Sequence, residues 1–175
     1  MLGLTPLGIV HTAISLVAVA TGFWALARDK EISAHDPLGR TYLWTTALTA
    51  ATGLGIFQHG GFGVPHVLSI LTLLALAVGT LAALKGSFGR WSRYVQAICY
   101  SATVFFHMIP GFTETLTRLP PGQPLLPNAE APELKPIVGV LLLLFVAGLT
   151  AQLRWLRSRV AAPPHADKMA APRPF

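Results

Sequence analysis

The sequence predicts an all-α integral membrane protein: five transmembrane helices, the first four forming a bundle around a polar core and the fifth packed at its periphery. Three observations carry this. Of 175 residues, 53% are hydrophobic and 11% are charged, where a soluble domain carries about 25% charged residues. The apolar residues gather into five runs close to the ~20 residues that cross a bilayer core. The basic residues fall in the gaps between those runs, Arg93 at the very start of the fourth excepted.

The first run, 4–27, stops at Arg28-Asp29-Lys30-Glu31. The second, 41–58, is opened by Pro37, Gly39 and Arg40 and closed by Gly60-Gly61. The third, 64–84, carries Pro65 in its first turn, a favoured helical place for proline, and ends at Lys85-Gly86. The fourth, 92–109, breaks at Pro110-Gly111, and the fifth, 136–153, is the most uniformly apolar. The second and fourth are short and rich in Thr, Ser and Tyr. One membrane domain over 1–160 leaves the tail, 161–175, as a disordered cytoplasmic segment. Pro120, Pro121, Pro124, Pro127 and Pro132 make the 111–135 loop an extended strap, with a short interfacial helix at 113–119.

Loop charge orients the chain. Arg28, Lys30, Arg40, Lys85, Arg90, Arg93, Arg154, Arg157, Arg159, Lys168 and Arg173 fall on one side; only Arg118 and Lys135 fall on the other. The positive-inside rule then puts the amino terminus in the periplasm and the carboxyl tail in the cytoplasm of a bacterial inner membrane. Trp24, Trp44, Trp91 and Trp155 mark the cytoplasmic boundary as interfacial anchors. The first run has no basic residue before it and exceeds a typical signal-peptide core, so it reads as a span.

The net charge of +6 is topological and does not indicate a nucleic-acid partner. The expected partners are the bilayer and a membrane protein or a second copy of this chain. A single cysteine, Cys99, excludes an intrachain disulfide and a four-cysteine metal site. Neither a Gly-x-Ser-x-Gly elbow nor a phosphate-binding glycine loop occurs.

Four of the six histidines are predicted to meet at the outer face. His11 opens the first run, His59 ends the second, His66 opens the third and His107 lies near the end of the fourth. Successive spans alternate in direction, so these positions share a level. Polar side chains behind them recur at helical spacing: Gln96, Tyr100, Thr103 and His107 in the fourth run, and Thr45, Thr49, Thr52, Ile56 and His59 in the second. His11 aligns with Ser15, Ala18 and Gly22. Such stripes face protein rather than lipid, and threonines there also serve as interhelical glue.

Imidazoles are costly in hydrocarbon, and a gathering of them suits a transition metal, Fe, Zn or Cu. His11, His59, His66 and His107 are the expected ligands, with Glu114 as auxiliary ligand or as a catalytic base on metal-bound water. The chemistry expected is that of a metal-dependent membrane oxidoreductase. The alternative is a single haem b with His11 and His107 as axial ligands, in a slot opened by Gly22, Gly53, Gly55 or Gly63. A second alternative is an assembly or transport component without a prosthetic group.

His11 followed by an Ala/Val-rich helix to Gly22, then His35-Asp36-Pro37-Leu38-Gly39-Arg40-Thr41-Tyr42, resembles a family of small bacterial membrane proteins of unknown function. The resemblance spans roughly the first four runs. It implies a helical membrane bundle and supplies no reaction. Where that family carries a His-Arg-Arg-Trp type motif, this chain has Gly89-Arg90-Trp91.

Overall fold

The computed structural model describes residues 5–57 and 61–161. These form α1 (Pro6–Asp29), α2 (Pro37–Gly53), α3 (Val64–Lys85), α4 (Ser92–Arg118) and α5 (Leu134–Ala161), with a 3-10 turn, Gly89–Trp91, leading into α4. No strand occurs among the described residues. Four helices, α1, α3, α4 and α5, are long and apolar enough to cross a membrane. The remaining helix, α2, has 17 residues, about 25 Å at 1.5 Å per residue, which falls short of the ~30 Å hydrocarbon layer. His59 and residues 162–175 of the expected tail lie outside the described residues.

The helix ends follow from local chemistry. Thr5 caps α1, its Oγ1 accepting from the Gly8 amide at 3.1 Å, and Pro6 occupies the first turn. Asp36 caps α2, accepting from the amides of Leu38 at 3.0 Å and Gly39 at 3.2 Å. α3 starts at Gly63, whose amide donates to His66 Nδ1 at 3.2 Å, and ends at Gly86 in the left-handed conformation (φ 59°).

The bounds of three helices differ clearly from the sequence expectation. α2 starts at Pro37 because Asp36 caps it there, and it is spent by Gly53, followed by turns at Leu54 and Gly55. α4 does not break at Pro110 but continues to Arg118, absorbing the expected interfacial helix. A proline removes one backbone donor, a loss that membrane helices tolerate where neighbouring hydroxyls and packing compensate. Thr113, Thr115 and Thr117 each donate back to the carbonyl four residues earlier. α5 runs on past 153 to Ala161. After α4 the chain folds back on that helix, the Leu126 amide donating to Leu116 O at 2.9 Å.

α1 packs on α2, α2 on α3 and α3 on α4; α4 also touches α1, and α5 rests on α4. Small residues set the approach. Tyr42 of α2 fills the space beside Gly22 of α1, where an added Cβ would lie 2.7 Å from the ring. Tyr100 of α4 does the same beside Gly79 of α3, at 2.6 Å. Both tyrosines are 0% exposed. The outward faces stay apolar and open, with Trp44 at 70% and Leu143 at 71% exposed, as a lipid-facing surface requires.

The α1–α2 loop ties the other elements together at this end. Lys30 O accepts from Gln152 Nε2 of α5 at 2.7 Å, and Ile32 O accepts from Gln96 Nε2 of α4 at 2.8 Å. Glu31 pairs with Arg93 of α4 at 2.9 Å. Gln152 also accepts from Ser101 Oγ at 2.8 Å, so α5 is pinned by a buried polar bond as well as by apolar contact.

Two outcomes test this account. Gly39 packs so tightly on the loop that an added Cβ would fall 1.9 Å from Ser33 O, a backbone atom that cannot rotate aside. Gly39→Ala is expected to cost at least the ~1–3 kcal/mol typical of overpacking, read as a lowered unfolding midpoint in detergent; an unchanged midpoint would refute the packing. The second outcome concerns pH. Desolvation works against the Asp36 carboxylate, but the Gly39 amide, the Arg28 charge and the Leu38 amide outweigh it and hold its pKa below the usual range. A depressed folded-state pKa stabilises the protein above the unfolded carboxylate's pKa and ceases to do so as pH falls through the folded one. Wild type should therefore melt above Asp36→Asn at neutral pH, and the gap should close below about pH 4. A gap constant down to pH 2 would contradict the Arg28–Asp36 pairing, seen here at 3.0 Å.

Candidate functional site

The polar face of α4 is built as its spacing predicts. Tyr100, Thr103 and His107 are buried, with Gln96 partly so. Each meets a partner on another element. Thr103 Oγ1 donates to Tyr100 O at 2.7 Å, which commits its proton, so it accepts from the Tyr42 hydroxyl at 2.6 Å. Tyr100 OH lies 3.1 Å from Thr80 Oγ1 of α3. His107 Nε2 lies 3.2 Å from Thr46 Oγ1 of α2, with the Tyr42 ring edge-on at 6.5 Å between centroids.

His11 enters the same interior from α1. Its Nδ1 lies 3.1 Å from Thr52 Oγ1. Thr52 donates its own proton to Leu48 O at 2.8 Å, so it accepts from His11 Nδ1–H, and the neutral ring keeps its Nε2 lone pair. The ring lies against Gly53, where an added Cβ would sit 3.3 Å from His11 Cε1 and 2.7 Å from Ser69 Oγ. α1, α2 and α3 converge there because position 53 has no side chain.

Between the two threonines that hold these histidines lies Thr49. It is buried, and its Oγ1 has no hydrogen-bond partner. A buried unsatisfied hydroxyl costs roughly 1–3 kcal/mol, and most mid-helix threonines avoid that by bonding to the carbonyl four residues back. Thr45 and Thr52 do so. Thr49 stands three residues from each of the threonines that hold His11 and His107.

The other expected ligands are placed differently. His66 is buried, with Nδ1 accepting from the Gly63 amide and the ring stacked between Phe57 and Phe62 at 4.5 and 5.2 Å. With Nδ1 occupied as an acceptor, the neutral ring carries its proton on Nε2, which is buried and has no hydrogen-bond partner. His66 caps a helix. Glu114 is exposed and ion-paired with Arg118, one turn away. His59 lies outside the described residues. Among the described residues, no three His, Cys, Asp or Glu side chains converge into a set able to hold a metal ion. Of the four glycines expected to open a haem slot, three are occupied, Gly22 by Tyr42, Gly53 by Ser69 and His11, and Gly55 by Leu7, while at Gly63 an added Cβ would meet only Pro65 at 3.7 Å.

Sequence periodicity missed Tyr42 and Thr46, the inward residues of α2. Threonines at 41, 45, 46, 49 and 52 cover several helical registers, so spacing alone does not select a face. The Asp36-to-Tyr42 motif resolves into structural tasks: a cap at Asp36, a close approach at Gly39 and a core ring at Tyr42. Comparison with protein-family models, with curated proteins and with solved structures finds no match, so nothing is carried over to this chain from a relative.

Removing the Tyr42 hydroxyl tests the interhelical network. Tyr42→Phe keeps the ring beside Gly22 and deletes the hydroxyl's bonds to α4, the short one to Thr103 and a longer one to Tyr100 O at 3.4 Å. It should cost about 0.6–1.7 kcal/mol, the range for hydrogen bonds between membrane helices, in reversible unfolding from mixed micelles. No measurable loss would mean that ring packing alone holds α2 to α4.

Proposed function

We propose that the protein is a five-span membrane metalloprotein in which His11 and His107 supply the imidazole ligands of one transition-metal ion. α2 is the short fifth span. Within this reading the amino terminus and the histidine pair lie on the periplasmic side, and the tail lies in the cytoplasm, from the eleven-to-two bias of basic residues between the two sides. The observation that carries the proposal is the orphan Thr49 hydroxyl, three residues from each of the two threonines that tether His11 and His107 through one ring nitrogen.

Tethering one imidazole nitrogen fixes the ring and leaves the other nitrogen for a metal, the usual second-shell arrangement. His11 would bind through Nε2. His107 would bind through Nδ1, with Nε2–H donating to Thr46. Thr49 would hydrogen-bond a water or hydroxide completing the coordination, and Glu114 at the rim would bias the site toward a cation. An ion whose remaining positions are filled by solvent is open to substrate, which suits redox or metal-dependent chemistry.

Purified protein in mild detergent, examined by elemental analysis and visible spectroscopy on one sample, tests this. About one Zn, Cu or Fe per chain is expected, falling to background in His11→Ala/His107→Ala. Full metal content in the double variant would sink the proposal. A Soret band would replace it with a single b-type haem, and stoichiometric absence of both would replace it with an assembly or transport role.

A further inference from the structure

A second site stands at the opposite end of the molecule and owes nothing to the histidines. Phe88, Trp91, Tyr94, Val95 and Ile98, from the turn before α4 and its first turns, face Leu153 of α5 across an open groove of about 540 Å³. The lining is almost wholly apolar. Its rim is basic. The Arg90 guanidinium lies over the Trp91 ring at 5.3 Å, and Arg159 lies over Trp155 at 5.4 Å. Arg157 follows Leu153 by four residues and so projects from the same face of α5, one turn nearer the helix end.

The charges at this end divide into two sets. Arg28 pairs with Asp29 and Asp36, and Arg93 pairs with Glu31. Among the described residues, Arg90, Arg154 and Arg157 have no carboxylate partner, and all three are exposed. Of these, Arg90 lies over Trp91 of the groove's lining, and Arg157 follows its Leu153 by one turn. An apolar slot capped by unpaired guanidinium groups complements one kind of molecule: an acyl chain that ends in an anionic headgroup. Arginine binds phosphate oxygens bidentately, and Trp and Tyr are suited to the headgroup level.

We propose that this groove binds an anionic phospholipid, with an acyl chain along Val95, Ile98 and Leu153 and the phosphate held between Arg90 and Arg157. The occupant is a bilayer lipid rather than a second copy of this chain, because a copy would bring the same arginines into the same rim. Here α5 meets α4 and, through Gln152, the α1–α2 loop, and the lipid would fill the cleft left between α4 and α5.

The test uses a variant whose only tryptophan is Trp91 (Trp24, Trp44 and Trp155 replaced by Phe), reconstituted in phosphatidylcholine vesicles. A small fraction of the lipid carries bromine on its acyl chains, either as phosphatidylglycerol or as phosphatidylcholine. An arginine at an anionic lipid surface is worth a factor of about five in binding. Trp91 should therefore be quenched at several-fold lower brominated phosphatidylglycerol than brominated phosphatidylcholine. Arg90→Gln/Arg157→Gln should bring the two lipids level, and Leu153→Trp, read by displacement of a fluorescent phosphatidylglycerol, should block the slot with the arginines intact. Equal quenching by both lipids in the parent protein would overturn the proposal and reduce the groove to ordinary lipid contact. Little quenching by either, with cross-linking between copies through position 91, would assign the groove to a homo-oligomer instead.

Discussion

Two tyrosines set against two glycines hold the helices in register. Helices inside a bilayer gain little from hiding apolar surface, because lipid is as apolar as a leucine side chain. What distinguishes one arrangement from another is close fit and polar satisfaction. Tyr42 lies beside Gly22 and hydrogen-bonds Thr103; Tyr100 lies beside Gly79 and meets Thr80. A ring that fits only where a side chain is missing fixes the rotation of both helices at once. Its hydroxyl then fixes their relative height.

The histidines inherit their positions from that register. Thr46 lies one turn beyond Tyr42, and His107 lies one turn beyond Thr103, so the Tyr42–Thr103 bond brings the next pair along the same two faces to 3.2 Å. A further turn and a half along α2, Thr52 meets His11. The candidate centre is thus an extension of the packing device rather than a separate structure. The orphan Thr49 departs from this satisfied network, and such departures are what functional sites produce.

Legibility varied by helix, for a physical reason. α4 is the one helix with a strong contrast between polar and apolar faces, and its inward stripe of Tyr100, Thr103 and His107 was readable directly. In α3 the buried residues are His66, Thr72, Leu76, Gly79 and Ala82, a set that helical spacing did not single out. Apolar residues surround that helix on all sides, so periodicity has nothing to distinguish. His66 shows the same limit at a single residue: its depth was legible, while its task of capping Gly63 between two phenylalanines depended on a ring nitrogen's direction.

By itself the sequence determined the helical class, the membrane setting of the long apolar helices and most helix starts, because composition, length and caps act within a few residues of where they are written. Asp36 before Pro37 and Gly86 after Lys85 are complete local instructions. Only the tertiary structure decided that α4 passes through Pro110, that Gln152 pins an otherwise apolar α5, and that His11 and His107 meet threonines of α2 while His66 caps its own helix. Those outcomes depend on the rotation of each helix about its axis. In a medium as apolar as the side chains themselves, that rotation is set by notches and hydroxyls on neighbouring helices rather than by the helix's own pattern.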